Sequence, residues 1–408
     1  MNTEKLISKA SRYLDILCNE INERSVGTNG NRKATAFFEK QISSFGWETE
    51  RQEFHAMDWE DGGATLFTGD KRFDVLVSPY SNGIKTSAIL TAASTIGELE
   101  SLNIKDKIIL LHGEIAREQL MPKNFVFYNP EDHQKTISLL ENSGAKAIIA
   151  ATGRNASLAG GVYPFPLIED GDFDIPSVYM TEEEGLTILP YIGKEFKLES
   201  ISKRIMGNGC NVVARNRSES NSRIVITAHI DAKKGTPGAI DNATGVVILL
   251  LLAELLVEYK GDKQIEIVAL NGEDYYAVPG QMMYIAENHG AFDEIYLNIN
   301  IDGAGYKTGE TAFSLFELPD KISQKVTQIV DLLPDISEGV QWPQGDHSIF
   351  VQYGRPAIAV SSQWFINNID SQDITHTAKD NMDIVDMNKL PTIAKAIKKI
   401  ILEIQGNE

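Results

Sequence analysis

The chain has 408 residues, of which 42% are hydrophobic and 23% are charged. This length exceeds one ordinary hydrophobic core and favours two domains, and the composition is typical of a folded globular protein. Thirty-eight basic against 57 acidic residues give a net charge of −19, which argues against nucleic acid or an anionic membrane as a partner.

The cysteine content and the lengths of the apolar runs further limit which class of protein this chain can be. Cys18 and Cys210 are too few for a disulfide framework, and neither lies in a Cys-x-x-Cys pattern, so a metal would be held by histidines and carboxylates. Segment 1–20 lacks the continuous apolar core of a signal peptide, and the run around 246–256 is shorter than the ~20 residues that span a bilayer. We therefore expect a cytoplasmic protein that does not contact a membrane.

The first part of the chain predicts two amphipathic helices, Glu4–Glu23 and Asn31–Phe45. From Trp59 the pattern changes to short strands and turns, such as KDKIILLHG, AKAIIAA and IPSVYM, with one helical segment, DHQKTISLLENSG. We interpret residues 59–205 as an inserted, mostly β module with its own small core. Residues 1–58 and 206–408 would then form the main domain.

Four apolar runs of the main domain each end at, or lead to, a histidine or an acidic residue. In chain order they are RIVITAHI, IEIVALN, IYLNINI and PAIAVSS. Parallel strands deliver their carboxyl ends to one edge of a sheet, where open α/β sheets bind ligands. The sequence therefore predicts a mixed, mostly parallel α/β sheet flanked by helices, with a buried helix over Ala243–Glu258.

The polar residues at these strand ends have the donor chemistry of a metal site. His229 supplies an imidazole nitrogen, Asp241 can bridge two cations, and Asp231 can orient the imidazole from behind. Glu273 and Asp274, paired directly after a buried strand, are costly to place there without a functional role. Each residue alone has a structural explanation, such as a helix cap or a surface turn, but the ordered set favours a site.

The ordered set resembles the M28 family of zinc aminopeptidases. Its parts are His-x-Asp, an Asp-Asn twelve residues after the histidine, an acidic pair after the next strand, an aspartate 28 residues beyond that pair, and a late His-Thr. SVGTNGNRKATAFFEKQISSFGWETERQEF resembles the opening helices of that family, and residues 59–205 resemble the protease-associated (PA) domain that many members carry as an insertion. The resemblance implies a hydrolase with the zinc-peptidase fold.

The resemblance also implies which residues hold the metals. Asp241 would bridge two divalent ions, one of them also bound by His229 and Asp302 and the other by Asp274 and His376. Nitrogen and oxygen donors without cysteine suit Zn²⁺ and leave Mn²⁺ and Co²⁺ open.

The implied catalytic residues are Glu273 and Asp231. Glu273 would be the general base that activates a metal-bridging water, and Asp231 would act through His229. The substrate would be a peptide with a free amino terminus, cleaved at its first peptide bond. A homo-oligomer is compatible with these features.

This chain departs from the family pattern at two positions. Asp274 stands where many members have the longer Glu, and Thr375 stands where some have a Tyr that stabilises the oxyanion. The metals, Tyr275 or Tyr276 are the candidates for that second role. His347, in a further segment that resembles the family, lies outside the predicted ligand set.

Two other functions are compatible with the same residues. One is a related zinc enzyme, either a carboxypeptidase acting on acidic C-terminal residues or an aminoacyl cyclase. The other is a degenerate peptidase kept as a non-catalytic binding module. Glu273 favours an enzyme, because a purely binding protein needs no base beside its metals.

Overall fold

The computed structural model describes residues 2–21, 23–154 and 163–405. Asn22, within the first predicted helix, and residues 155–162, within the predicted insert, lie outside the described residues, as do 406–408. The chain divides into two compact units, Met1–Ala56 with Asn208–Glu408, and Met57–Gly207.

The α-helices of the described chain are α1 (Thr3–Asp15), α2 (Asn29–Ser43), α3 (Ile96–Ser101), α4 (Glu131–Glu141), α5 (Glu182–Ile188), α6 (Thr244–Leu255), α7 (Pro279–Glu287), α8 (Asp320–Val330), α9 (His347–Gln352), α10 (Gln363–Asn367) and α11 (Lys389–Glu403). The strands are β1 (Glu48–Thr68), β2 (Lys71–Phe73), β3 (Leu76–Val77), β4 (Ile84–Ala93), β5 (Ile108–Leu111), β6 (Ala147–Thr152), β7 (Ser177–Thr181), β8 (Glu195–Arg215), β9 (Arg223–His229), β10 (Gln264–Leu270), β11 (Ile295–Ile301), β12 (Thr311–Phe316), β13 (Ile336–Gly339) and β14 (Ala357–Ser362).

The first unit contains a sheet in the order β13-β12-β14-β11-β9-β10-β8. Its four central strands, β14, β11, β9 and β10, are parallel, while β8 and β12 pair with their central neighbours in the antiparallel sense. His229 pairs with Leu270, and Ile301 pairs with Val360. The central strands therefore end at one common edge, and the predicted mixed, mostly parallel α/β fold is confirmed.

Helix α6 is the centre of the packing on one face of this sheet. Its residues Val246–Ala253 are fully buried, as expected for a helix that is apolar all round. Helices α1, α2 and α11 contact it, and their apolar side chains share one core with those of α6 and the central strands. No helix in the described part of the chain combines the length and apolar content needed to cross a bilayer.

The opposite face carries a buried ionic network near the start of β9 and β10. The fully buried carboxylate of Glu266 accepts hydrogen bonds from Arg215 Nε (2.7 Å), Arg223 Nη1 (3.1 Å) and the Tyr284 hydroxyl (2.7 Å). Side chains alternate along a strand, so Glu266 faces α7 while its neighbours Ile265 and Ile267 join the core on the α6 face.

The strands of the second unit follow the order β8-β4-β5-β6-β7-β3. Strands β4 to β7 are parallel, and β8 and β3 are antiparallel to their neighbours. Helices α3, α4 and α5 accompany these strands, and two hydrophobic clusters contain the buried side chains of the unit.

We predict that Glu266→Gln destabilises the protein by about 3 kcal/mol or more, because it leaves two arginine side chains without their buried counter-charge. Glu50→Gln is the matched control: Glu50 also pairs with Arg215, at 2.8 Å, but its side chain is 50% exposed, so its loss should cost about 1 kcal/mol or less. The free energy of unfolding from denaturant titration checks both. Equal losses for the two variants would contradict a dominant role for the buried network.

Candidate metal centre

The predicted site residues lie at the carboxyl edge of the central strands. His229 ends β9, Asp302 directly follows β11, and Asp241 lies in the turn Ala239–Ala243 that leads into α6. Glu273 and Asp274 occupy the loop between β10 and α7. His376 comes from the loop between α10 and α11, which reaches the same edge, as its contacts show.

The donor atoms form two groups that share Asp241. His229 Nε2 lies 3.1 Å from Asp241 Oδ1 and 3.6 Å from Asp302 Oδ1. His376 Nε2 lies 3.1 Å from Asp241 Oδ2 and 3.0 Å from Asp274 Oδ1. The two oxygens of Asp241 therefore face different imidazoles, and each imidazole has a second carboxylate beside it.

The side chains fit a divalent metal ion. Neither ring nitrogen of the buried His229 has a hydrogen-bond partner of acceptable geometry, and neither does Asp274 Oδ2. Donors bound to a tetrahedral zinc ion at about 2.0–2.2 Å lie about 3.3–3.6 Å apart, close to the separations within each group. One donor atom each from His229, Asp241 and Asp274 also lies within 4.8 Å of the other two.

The charges of the site act strongly on its histidines. Burial opposes the charged form of His229, but the carboxylates of Asp231, Asp241 and Asp302 outweigh it and raise the pKa of this imidazole well above its ordinary value. Burial likewise opposes the charge of His376, and Asp274 and Asp241 raise its pKa. The site therefore attracts positive charge to both imidazole positions.

The pKa values of the acidic groups shift in opposite directions. Burial opposes the charge of Asp241, yet His229 and His376 lower its pKa below the ordinary range. Burial raises the pKa of Glu273 well above that of an ordinary glutamate, and the negative charges of Asp302 and Asp274 add to this effect. Asp241 thus stays ionised between the imidazoles, while Glu273 holds a proton more readily than an exposed glutamate.

Asp231 contacts the acidic loop as well as the histidine. Its Oδ1 lies 3.7 Å from His229 Nδ1, which is longer than a hydrogen bond, so its effect on the ring is electrostatic. Its two oxygens instead accept the backbone N–H groups of Gly272 (2.7 Å) and Asp274 (3.1 Å). Asp231 therefore fixes the loop on both sides of Glu273.

The Thr375 hydroxyl is engaged within its own loop, where it accepts a 2.6 Å hydrogen bond from Gln372 Nε2. Gln372 Oε1 in turn accepts the Thr375 backbone N–H at 3.0 Å. These contacts hold the segment that presents His376, whose backbone has a φ of 61°.

Two residues that the sequence did not assign also belong to the site. Asn242 donates to the Ile301 carbonyl at 2.7 Å, and so joins the Asp241 turn to the end of β11. Asp346 is 3% exposed, accepts a 2.9 Å hydrogen bond from Gln281 Nε2, and has a pKa raised to about 7 by burial. The Asp-Asn pair and the Gly-Asp-His segment were the available signals, but neither indicates what these side chains contact.

The described contacts of His347 are with residues outside the donor groups. Its Nε2 lies 3.0 Å from the Trp342 carbonyl, and its ring packs against Phe316 and Trp342, with centroids 4.5 and 4.7 Å away. Burial lowers the pKa of this imidazole to about 4. His347 is thus a neutral, packed side chain at neutral pH.

Comparison with known proteins finds a family model that covers this site. Residues 211–401, which include every residue of the two donor groups, match peptidase family M28. Aminopeptidase YwaD of Bacillus subtilis (strain 168) is 24% identical over 170 residues, 41% of this chain and 36% of that protein. "Probable lipoprotein aminopeptidase LpqL" of Mycobacterium tuberculosis is 22% identical over 315 residues, 74% of this chain and 59% of that protein.

A solved structure shares the fold over nearly the whole chain. It is that of BSAP, a zinc aminopeptidase from Bacillus subtilis, with a TM-score of 0.74 at 18% identity, and the match covers 98% of this chain and 95% of that one. By sequence, the chain spans less than two thirds of the length of either relative named above. The predicted resemblance to family M28 is confirmed for residues 211–401, and the PA domain stays a prediction.

We predict that His347→Gln reduces the loss of stability on acidification. The folded pKa of His347 lies below that of an exposed histidine, so between pH 6.5 and about 4 the unfolded chain binds a proton that the folded chain does not. Stability falls there as pH falls, by at most about 1.4 kcal/mol per pH unit from this group. Unfolding free energies of both proteins at pH 7 and pH 5 check it, and identical pH slopes would contradict it.

Proposed function

We propose, on the premise that residues 211–401 belong to peptidase family M28, that this protein is a two-metal aminopeptidase. It would remove the first residue from peptides with a free amino terminus. The observation that carries the proposal is that the two oxygens of Asp241 face different donor groups: Oδ1 faces His229 and Oδ2 faces His376. A carboxylate with one oxygen in each group is suited to bridge two cations.

The proposed ligands are the two groups described above, with Asp241 common to both. His229 and Asp302 would complete one site, and Asp274 and His376 the other. When bound, two divalent cations, Zn²⁺ by the chemistry of the donors, polarise the scissile carbonyl and lower the pKa of water. Asp231 would hold Asp274 in place through its backbone N–H.

Glu273 is the proposed general base. It would accept a proton from the attacking water and deliver it to the leaving amine, so that one carboxylate serves both halves of the reaction. Its raised pKa suits a group that must both take and give a proton near neutral pH, and neighbouring cations would bring that pKa back down. Because Asp231 binds the N–H groups on either side, the Glu273 backbone is held while its side chain stays available.

The excess of negative charge supports selection for a free amino terminus. Glu273, Asp302 and Asp346 place carboxyl groups around the site; burial and the negative charge of neighbouring carboxylates raise the pKa of each, so a nearby positive charge would favour their ionised forms. An ammonium group next to the scissile bond would be attracted there. A blocked amino terminus offers no such charge.

The remaining proposals concern the rest of the chain. Residues 1–58 and 206–408 would form the peptidase domain, and residues 59–205 a PA-like module, which the compact unit Met57–Gly207 supports. We propose a cytoplasmic location and allow for a homo-oligomer.

We predict that Asp241→Asn loses both metal ions, because the amide has only one acceptor oxygen for the two groups. Elemental analysis after dialysis against trace zinc measures the stoichiometry. Asp293→Asn is the control, because the Asp293 side chain is 98% exposed and pairs with Arg355. This variant should keep the metal content of the wild type. Full occupancy in Asp241→Asn would rule out the bridging role.

We predict that Glu273→Gln keeps its metal while kcat falls by about 10²–10⁴-fold, since only the proton-transferring oxygen is replaced. Steady-state kinetics on aminoacyl amides, with metal content measured in the same preparation, check this. Turnover near that of the wild type would remove Glu273 from the role of base. Equal hydrolysis of N-acetylated and free peptides by the wild type would contradict the aminopeptidase proposal itself.

A further inference from the structure

The turn that carries Asp241 is held from two sides by buried charged residues for which the reaction has no use. Asp380 is 0% exposed and Arg24 is 1% exposed. Neither belongs to the donor groups, although Asp380 lies only four residues beyond His376. Burying a charge is costly unless its hydrogen bonds are satisfied, so the partners of these two residues indicate what they do.

Asp380 binds three successive backbone N–H groups of the turn. Its Oδ1 accepts from Ile240 at 2.7 Å, its Oδ2 accepts from Asp241 at 3.0 Å, and its backbone carbonyl accepts from Ala239 at 3.2 Å. Both carboxylate oxygens are thus occupied by adjacent peptide groups. This fixes the orientation of the peptide plane from which the Asp241 side chain extends.

Arg24 holds the loop that precedes the turn. Its guanidinium donates to the carbonyls of Ile230 (3.1 Å), Pro237 (2.6 Å) and Gly238 (2.7 Å), and also to Leu17 (2.9 Å). A Cβ at Gly238, where φ is +57°, would lie 2.7 Å from Arg24 Nη2 and 2.6 Å from the Asp241 carbonyl oxygen. Only glycine lets this buried cation approach the loop so closely.

A second contact joins the Asp241 loop to the His376 loop. The Thr236 hydroxyl donates to the Thr377 carbonyl at 2.8 Å and accepts the Gly238 N–H at 3.1 Å. Thr377 directly follows His376, and Asp380 ends the same short segment. The segment that presents one imidazole therefore also fixes the carboxylate that this imidazole faces.

We propose that Asp380 is a positioning residue. Together with Arg24 and Thr236, it holds the Asp241 carboxylate in the position where one of its oxygens faces His376, and so sets the metal affinity of the site. The proposal rests on the metal site proposed above. A loose turn would let the two oxygens of Asp241 rotate away from their separate groups, and residues that orient metal ligands typically contribute 10- to 100-fold in affinity.

The test is the zinc affinity of Asp380→Asn, measured by competition with a chromophoric chelator below the unfolding temperature of the metal-free variant. The amide keeps the size of the side chain but turns one acceptor into a donor that faces an N–H group. We expect the zinc dissociation constant to rise about 10- to 100-fold. Asp383→Asn, an exposed carboxylate three residues away, is the control and should bind zinc as the wild type does.

Hydrogen exchange in the metal-free proteins gives a readout independent of both zinc and activity. Peptides that contain Ile240 and Asp241 should exchange faster in Asp380→Asn than in the wild type, while the control stays unchanged. If Asp380→Asn does not fold, Thr236→Val removes the two hydroxyl contacts. It should raise the zinc dissociation constant about 5-fold, the equivalent of the one net hydrogen bond that joins the two loops, to the Thr377 carbonyl.

Wild-type zinc affinity in a folded Asp380→Asn protein would overturn the positioning role, and so would unchanged exchange at these amides. In either case zinc binding by the wild type and its loss in Asp241→Asn would leave the proposed metal site standing. If the wild type does not bind zinc, that result would instead contradict the proposed function.

Discussion

The concentration of buried negative charge at one edge of the sheet is the constraint on which the site depends. Asp241, Asp274, Asp302, Glu273 and Asp346 meet there, and the two nearby imidazoles can offset only part of their charge when protonated. Like charges in a desolvated site raise one another's pKa or require cations. Two kinds of contact offset this charge. Both histidines contact carboxylates, and backbone N–H groups donate to Asp231 and Asp380.

The two ends of β9 and β10 show the difference between a closed and an open polar cluster. At one end, both oxygens of Glu266 are bound by Arg215, Arg223 and Tyr284. At the other end, both nitrogens of His229 lack a hydrogen-bond partner among the described residues. A carboxylate whose two oxygens are both bound makes no demand for a cation, although Arg223 Nε beside it has no hydrogen-bond partner among the described residues. Unsatisfied donor atoms of the right chemistry, brought together at 3.0–3.6 Å, are what a metal site requires.

What the sequence could predict followed from local pattern. Apolar runs that end in His229, Asp302 or Glu273 indicate parallel strands with their polar ends at one edge, and the register of the central strands agrees. Arg24 and Asp380 could not be assigned in this way, because their partners are backbone groups. Arg24 is 206 positions away from Ile230 in the chain, and nothing in the surrounding letters indicates which carbonyls it binds. Residues that act through backbone groups become visible only when the fold brings those groups together.

The same reasoning accounts for Asp274, which stands where a longer glutamate occurs in the family pattern. A shorter side chain reaches the same place only if its backbone is brought closer. Asp231 binds the Asp274 N–H at 3.1 Å, and the loop from α10 to α11 presents His376 with a left-handed φ of 61°. Asp274 Oδ1 then lies 3.0 Å from His376 Nε2. In this chain the shorter carboxylate therefore reaches His376, and the backbone contacts on both sides of the pair hold the second donor group together.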